Sequence, residues 1–390
     1  MKKIWFIPLL TTLTLCAQDF ESFKEDALQN SPYLQANSLK VQNAQAVSKI
    51  TTRYKNPTLG FEASQFSQNG VSSNKSGFRV EFTQPLRLWG VGDDRENLAQ
   101  SQQQSAKTSV SLSRAAFIRK LSLRFVAYKR LVTLKDLALE ELAISQKIAA
   151  ISKARFENGT IARVKYLQAK LDVKRIDNSV DTLDLAKTDA YYNLLAFAGL
   201  KQQRAIGTDY NFTLQKDDKT LSSPELAFLA AEKKVATAKA ELNANKLEWV
   251  NMRAEFEKEP DQDIYRVGVN IPLVIFNTKK EEKQIAKLQA QTKAFLYEQK
   301  ESANNFTLKK IVRLIEKLTA LQKSTQELQA SQNELLLMYE DGYKIANINL
   351  IELQLIKNQM ISTKEKLIEI QTQKEKNIIG YNYLTGVYNE

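Results

Sequence analysis

The chain has 390 residues, enough for two or three ordinary domains, but only 12 Gly and 7 Pro interrupt tracts rich in Ala, Leu, Lys, Glu and Gln, which is the composition of long helices. Its formal charge is +12, yet basic and acidic residues are interleaved and no dense basic block has aromatic neighbours, which sets aside a nucleic-acid partner. Histidine is absent, the single cysteine is Cys16, and there is no Gly-rich phosphate loop or cluster of metal ligands, so an enzyme, a cofactor and a bound metal are not expected.

Residues 1–17 carry Lys2 and Lys3, an apolar run from Ile4 to Leu15, and Cys16-Ala17 before Gln18. This is the pattern of a secretory signal peptide cut after Ala17, and the run is too short to span a bilayer. Lipidation of Cys16 is the competing reading, disfavoured by the bulk of Leu15. A helix is expected over Asp19–Tyr54, with a Ser31-Pro32 start signal inside it, and Asn56-Pro57 stops it. A strand follows at about Thr58–Ser67, then a Ser, Asn and Gly loop, then Phe78–Leu86, read Phe-Arg-Val-Glu-Phe-Thr-Gln-Pro-Leu. From about Asp93 to Glu157 the chain reads as helix, with Ile118, Leu121, Phe125, Tyr128 and Val132 forming a coiled-coil seam. Asn158-Gly159 breaks it, and a return helix runs from about Ala162 to Phe197, ending at Gly199.

Residues 201–221 read as a polar connector containing Lys216-Asp217-Asp218-Lys219; the paired aspartates are read as a solvated loop rather than a cation site. The plan then repeats. Ser223-Pro224 echoes Ser31-Pro32, a strand is expected at Val250–Glu257, and Tyr265–Leu273 ends in Ile-Pro-Leu as the earlier strand ends in Gln-Pro-Leu. A second long helix is expected from about Thr278 to Asp341, with Ile311, Leu314, Leu318, Leu321, Leu328 and Leu335 on one seam interrupted only by Thr325 and Gln332. Gly342 is matched to Gly159, and Gly386 to Gly199. Pro85 and Pro272 lie 187 positions apart, and so do Gly199 and Gly386, which argues for two internal repeats: residues 18–200 with a hairpin at 58–87, and 222–390 with a hairpin at 250–274.

The strands alternate. Phe61, Phe78, Phe82, Val250 and Phe256 fall on one face, and Glu62, Arg79, Glu81, Arg253, Glu255 and Arg266 on the other. Such strands suit either a soluble sheet with one buried face or a membrane β-barrel with a wet lumen, Trp89 then sitting at the headgroup level. Four strands cannot close a barrel, so a barrel would be shared between copies of the chain. Pro85 and Pro272 are read as strand-to-helix joints.

The Ser-Pro-x-Leu starts, the paired hairpins, Arg155-Phe-Glu-Asn-Gly159 with Tyr166-Leu-Gln-Ala169, and Tyr339-Glu-Asp-Gly342 resemble the TolC-like outer-membrane efflux proteins over essentially the whole mature chain, with a pattern nearer the metal-resistance branch. The resemblance implies a mainly α fold with β: a homotrimer whose twelve-stranded transmembrane barrel in the outer-membrane lipid continues as a long periplasmic α-helical barrel. It implies an exit duct of a tripartite efflux pump, partnered by a periplasmic adaptor and an inner-membrane pump, with Asn158, Gly159, Thr160, Asp341, Gly342 and Tyr343 as adaptor-contact tips. Asn349, Glu352, Tyr339, Lys344, Lys165 and Gln168 correspond to the periplasmic gate, although Lys165 stands where the family carries an acid to latch against Tyr339 and Lys344. A type I secretion duct and a coiled-coil scaffold are the alternatives.

Overall fold

The computed structural model describes residues 18–67, 75–215 and 223–389. The signal peptide with Cys16, the tip of the first hairpin and Asp217-Asp218 lie outside these residues. In chain order the elements are α1 (Phe20–Asn30), α2 (Pro32–Thr52), β1 (Thr58–Phe66), β2 (Lys75–Arg87), α3 (Val91–Glu157), α4 (Arg163–Ala198), α5 (Pro224–Leu242), β3 (Trp249–Glu259), β4 (Gln262–Asn270), α6 (Lys280–Lys344), α7 (Leu350–Leu384) and a short 3₁₀ turn at Val387–Asn389. The chain divides into a helical unit, drawn from residues 1–35, 114–221 and 305–390, and a second unit, drawn from 36–113 and 222–304, which holds the sheet.

In the helical unit Asp19 caps α1 by accepting from the Ser22 amide at 3.0 Å. α1 then buries Phe20, Phe23 and Ala27 against Phe117, Leu121, Phe125, Leu194, Ile206 and Phe212. Each large side chain removed from water here contributes roughly 1.5–3 kcal/mol before entropy is counted. Ser31 is buried between α1 and α2, and Pro32 opens α2 at the position where a missing N–H costs nothing. In the expected connector, Gln18 bridges to Ile206, and the Gln18 and Gly207 amides donate to Ala205 and Gln18 carbonyls at 2.9 Å each.

The first seam is buried as the 3–4 spacing predicts, with Leu121 and Phe125 wholly inside. The second is not. Leu314, Leu321, Leu328 and Leu335 are exposed, while Ile315, Leu336 and Thr325 turn inward. The expected interruption at Thr325 is thus a core position, where its hydroxyl is satisfied by the Leu321 carbonyl at 2.7 Å.

The sheet is antiparallel in the order β1-β2-β3-β4. Its register places Phe61, Val80, Phe256 and Tyr265 in one row, and Glu62, Arg79, Glu257 and Ile264 in the next. Strand alternation therefore sorts apolar and charged residues onto opposite faces. The apolar face is not covered: Leu59, Phe61, Tyr265 and Val267 are 72–77% exposed. This departs from a soluble sheet with one buried face. Across it, Phe61, Phe78, Phe256 and Tyr265 form a row with ring centroids 6.2, 5.9 and 5.1 Å apart.

The two prolines differ. β2 continues past Pro85, which pairs with Asn251, to Arg87, whereas β4 ends at Asn270 before Pro272. Pro85 is tolerated inside β2 because β1 begins its pairing only at Thr83, leaving no first-strand partner waiting for the missing N–H. Beyond the strands, Trp89 after the first joint and Phe276 after the second are almost fully exposed.

Candidate functional site

The six charged strand residues predicted on one face are brought together by the register, and they form a connected network. Arg79 reaches Glu62 at 3.1 Å, Glu257 at 3.0 Å and Glu255 at 3.2 Å. Arg253 pairs with Glu81 and lies 3.4 Å from Glu255, and Arg266 pairs with both Glu255 and Glu257. Glu257 is the member that the sequence reading missed. It holds the centre, buried and bonded by two arginines, although the same alternation that selected Glu255 also selected it. Three arginines face four glutamates, so this network keeps one excess negative charge per chain.

The two helical turns are built differently. After α3, Gly159 adopts a left-handed φ of 71°, and the Thr160 amide and hydroxyl both reach the Arg155 carbonyl at 2.8 Å. Asn158, Gly159 and Thr160 thus share one exposed turn. After α6 the expected break at Gly342 does not occur: the helix runs on to Lys344, and the left-handed residue is Ala346, with φ 67°. Gly342 serves packing instead. A Cβ there would fall 2.6 Å from Ile348 Cδ1, so the absent side chain makes room for the returning chain.

Tyr343, expected to face an adaptor, is buried. Its hydroxyl and that of Ser152 are 2.8 Å apart, Arg155 donates to its backbone carbonyl at 2.8 Å, and the guanidinium lies 4.6 Å from its ring centre. Its bulk and its hydroxyl are both satisfied inside the bundle. Asp341 and Lys344 pair at 2.7 Å, which holds the Asp341 carboxyl below and the Lys344 amine above their ordinary ranges.

Asn349 and Glu352, predicted at the gate, meet in a capping box that starts α7. The Asn349 side chain accepts from the Ile351 and Glu352 amides at 2.9 and 3.0 Å, and Glu352 accepts from the Asn349 amide at 3.4 Å. Glu352 is exposed. Gln168 is exposed on α4, Lys165 is half-buried, and Tyr339 packs half-buried against the core around Leu336 and Leu350. Among the described residues, no carboxylate lies within ion-pairing distance of Lys165, and Lys344 is paired with Asp341 instead of a gate partner.

A cluster outside the expected set ties three helices together. Lys357 on α7 is fully buried, with its amine 2.6 Å from Asp172 on α4, 3.3 Å from Glu141 on α3, and donating to the Ser145 hydroxyl at 2.9 Å. Arg175 holds the other Asp172 oxygen at 2.8 Å. Burial opposes the Asp172 charge, but hydrogen bonds from Lys357 and Arg175 outweigh it and hold that carboxyl below the usual range. Lys357 continues the stripe of Leu350, Leu353 and Met360, so a charge at an apolar position was the available signal.

Among the described residues, no group of three or more potential ligands is placed to hold a metal, and no helix is long and apolar enough to cross a membrane.

The family model for outer membrane efflux protein matches residues 24–200. A nickel and cobalt resistance protein, CnrC of Cupriavidus metallidurans, is 22% identical over 270 residues; the match spans 68% of this chain and 62% of the relative's length, a little under two thirds. Among solved structures, the transmembrane channel protein CusC is similar with a TM-score of 0.78 at 16% identity, covering 94% of this chain and 91% of CusC. The outer membrane protein VceC of Vibrio cholerae has a TM-score of 0.77 at 14% identity, covering 94% and 95%. Those structural similarities establish the fold over nearly the whole length. With a two-faced sheet followed by long paired helices, the chain has the fold of these outer-membrane channels, and its residues 24–200 match the outer membrane efflux protein family.

Proposed function

We propose that this chain forms the outer-membrane exit duct of a tripartite efflux pump, a passive conduit for substrate delivered by an inner-membrane transporter through a periplasmic adaptor. The observation that carries the reading is the sheet. Its apolar face is open to the surroundings, its charged face is knitted together, and both edges are unpaired. Such a sheet suits lipid on one side and water on the other, and it is stable in a membrane only when copies close it into a barrel. Three copies would give twelve strands.

Two exposed heptad stripes support the same assembly. Val164, Leu171, Leu185 and Tyr192 on α4, and Leu314, Leu321, Leu328 and Leu335 on α6, recur at multiples of seven with no cover in the single chain. Neighbouring copies would bury them as coiled-coil seams. The turns around Asn158–Thr160 and Asp341–Gly342 are assigned to the adaptor, and Glu352 with Asn349 to the entrance, where a ring of charge would act on passing ions. The similarity to CnrC favours metal ions as cargo.

The test is fractionation. A duct stays with the outer membrane through a carbonate wash, runs as a detergent-stable trimer and conducts ions in planar bilayers; a coiled-coil scaffold washes off as a non-conducting species. Deleting the gene and scoring sensitivity to nickel, cobalt, detergents and antibiotics then identifies the cargo class, and sensitivity confined to antibiotics would remove metals.

A further inference from the structure

A cleft of about 220 Å³ opens in the helical unit, and none of its lining residues belongs to the sheet, the two turns or the start of α7. Its walls are α1, the first part of α3 within this unit, residues 210–215 of the connector and the chain end around Tyr388. Phe20, Leu28, Ile118, Phe212 and Val387 supply the apolar part of the lining.

The polar groups of the cleft sort into two sets. One set is satisfied internally. Glu21 accepts from the Tyr210 hydroxyl at 2.6 Å and pairs with Lys24, while the Asn382 side chain accepts from the Gln215 amide at 3.3 Å and donates to the Thr213 carbonyl at 3.0 Å. The other set has nothing to bond. Ser122 is 1% exposed and its hydroxyl has no hydrogen-bond partner among the described residues, and the Tyr388 hydroxyl and the Arg114 Nε are buried in the same condition. Burial pushes the Tyr388 hydroxyl up to about 12, so it keeps its proton; Ser122 and Asn382 lie near enough to oppose that rise, but neither is in bonding geometry with it. Arg114, Ile118 and Ser122 step by four along α3 and so share one face of the helix. Unpaired buried polar groups destabilise a fold, and a ligand that bonded these three would relieve that.

Their chemistry selects the ligand. A guanidinium beside two hydroxyls fits an oxyanion, because all three groups donate and charge-assisted bonds from arginine are the strong ones. Glu21 and Glu25 line the same cleft, so a doubly charged anion would meet repulsion that a single carboxylate largely escapes. The volume is also below the roughly 300–1,000 Å³ of drug-sized sites, which calls for a small molecule. We propose that this cleft binds a small monocarboxylic acid with an apolar body, its carboxylate held by Arg114, Ser122 and Tyr388 and its body set against Phe20, Ile118 and Phe212. The site is independent of the duct reading, since all its walls come from one unit of one chain.

The experiment titrates benzoate and hexanoate into the detergent-solubilised full chain at neutral pH, read by calorimetry and by the melting temperature. Benzamide, a neutral analogue, and phenyl phosphate, a dianion, are the controls. Saturable binding of at least one of the acids at one per chain, with a raised melting temperature and no binding of either control, is expected. Arg114→Gln should weaken that binding roughly tenfold or more, and Ser122→Ala and Tyr388→Phe each by a smaller factor. The hydroxyl variants also distinguish a ligand site from a structural contact. Without ligand they should melt no lower than wild type, since each removes an unpaired group, whereas loss of a structural hydrogen bond would lower the melt. Failure of both acids to bind overturns the proposal, as does benzamide or phenyl phosphate binding as well as the acids. Undiminished binding by Arg114→Gln, or hydroxyl variants that melt lower and bind as before, also overturns it.

Discussion

The two long helical hairpins occupy matching places in the chain and solve the same problems by different means. α3 turns its seam inward around Leu121 and Phe125, whereas α6 leaves Leu314, Leu321, Leu328 and Leu335 outside. α3 ends on a left-handed glycine; α6 runs past its glycine to a left-handed alanine and a capping box. α3 stabilises the individual chain, whereas α6 presents a stripe that assembly would cover. A period in the sequence therefore marks a stripe that something buries, without saying whether the same chain does it.

The largest effect expected inside the helical unit comes from the tie that holds both hairpins. Lys357→Met leaves Asp172 and Glu141 without their buried cation and is expected to cost roughly 3–5 kcal/mol, read as the urea midpoint of the detergent-solubilised protein. The same cluster gives the pH dependence its sign. Asp172 titrates lower in the fold than in the unfolded chain, so its contribution is present above the unfolded value of 3.8 and is lost as pH falls through the folded value. Acid unfolding of wild type should therefore be steeper below pH 3.8 than that of Asp172→Asn, measured by circular dichroism.

Next comes the contrast between seams. Leu121→Ala should destabilise the chain by roughly 2–5 kcal/mol whether or not it is assembled. Leu321→Ala should leave the monomer unchanged within about 0.5 kcal/mol and lower the temperature at which the trimer dissociates in detergent. Equal effects on the monomer would erase the distinction between the two helices.

The smallest effects belong to the turns. Gly342→Ala should cost about 1–3 kcal/mol by crowding Ile348, and a second change, Ile348→Ala, should remove most of the crowding. Ala346→Gly should stabilise by about 1 kcal/mol, since it relieves a left-handed alanine. Thermal melts of the purified protein decide both signs.

Much of this was legible from the chain. Period-two alternation placed Glu62, Arg79, Glu81, Arg253, Glu255 and Arg266 on one face because a strand has only two faces to choose between. On α6 the heptad fixed which residues share a stripe, while burial depends on what lies opposite. Gly342 misled because a glycine can serve a close approach as well as a turn, and only the position of Ile348 separates the two. Lys357 showed in the sequence only as a charge on an apolar stripe, because its partners sit on two other helices, near positions 141 and 172. Asn349 and Glu352 carried a second message, since the two residues that the resemblance matches to the gate also have the Asn-x-x-Glu spacing of a helix start.

That double duty constrains how this helix start can vary. If Glu352 sets the charge at the mouth, it does so with the carboxylate that also begins α7, so an alanine there would fray the helix end while it removes the charge. Glutamine can still accept the Asn349 amide, so Glu352→Gln is the substitution that separates what the mouth does to ions from what it does to its own shape. Substitution at this position therefore has a narrow path: amide for acid is open, and most other changes must first supply a new way to begin the helix.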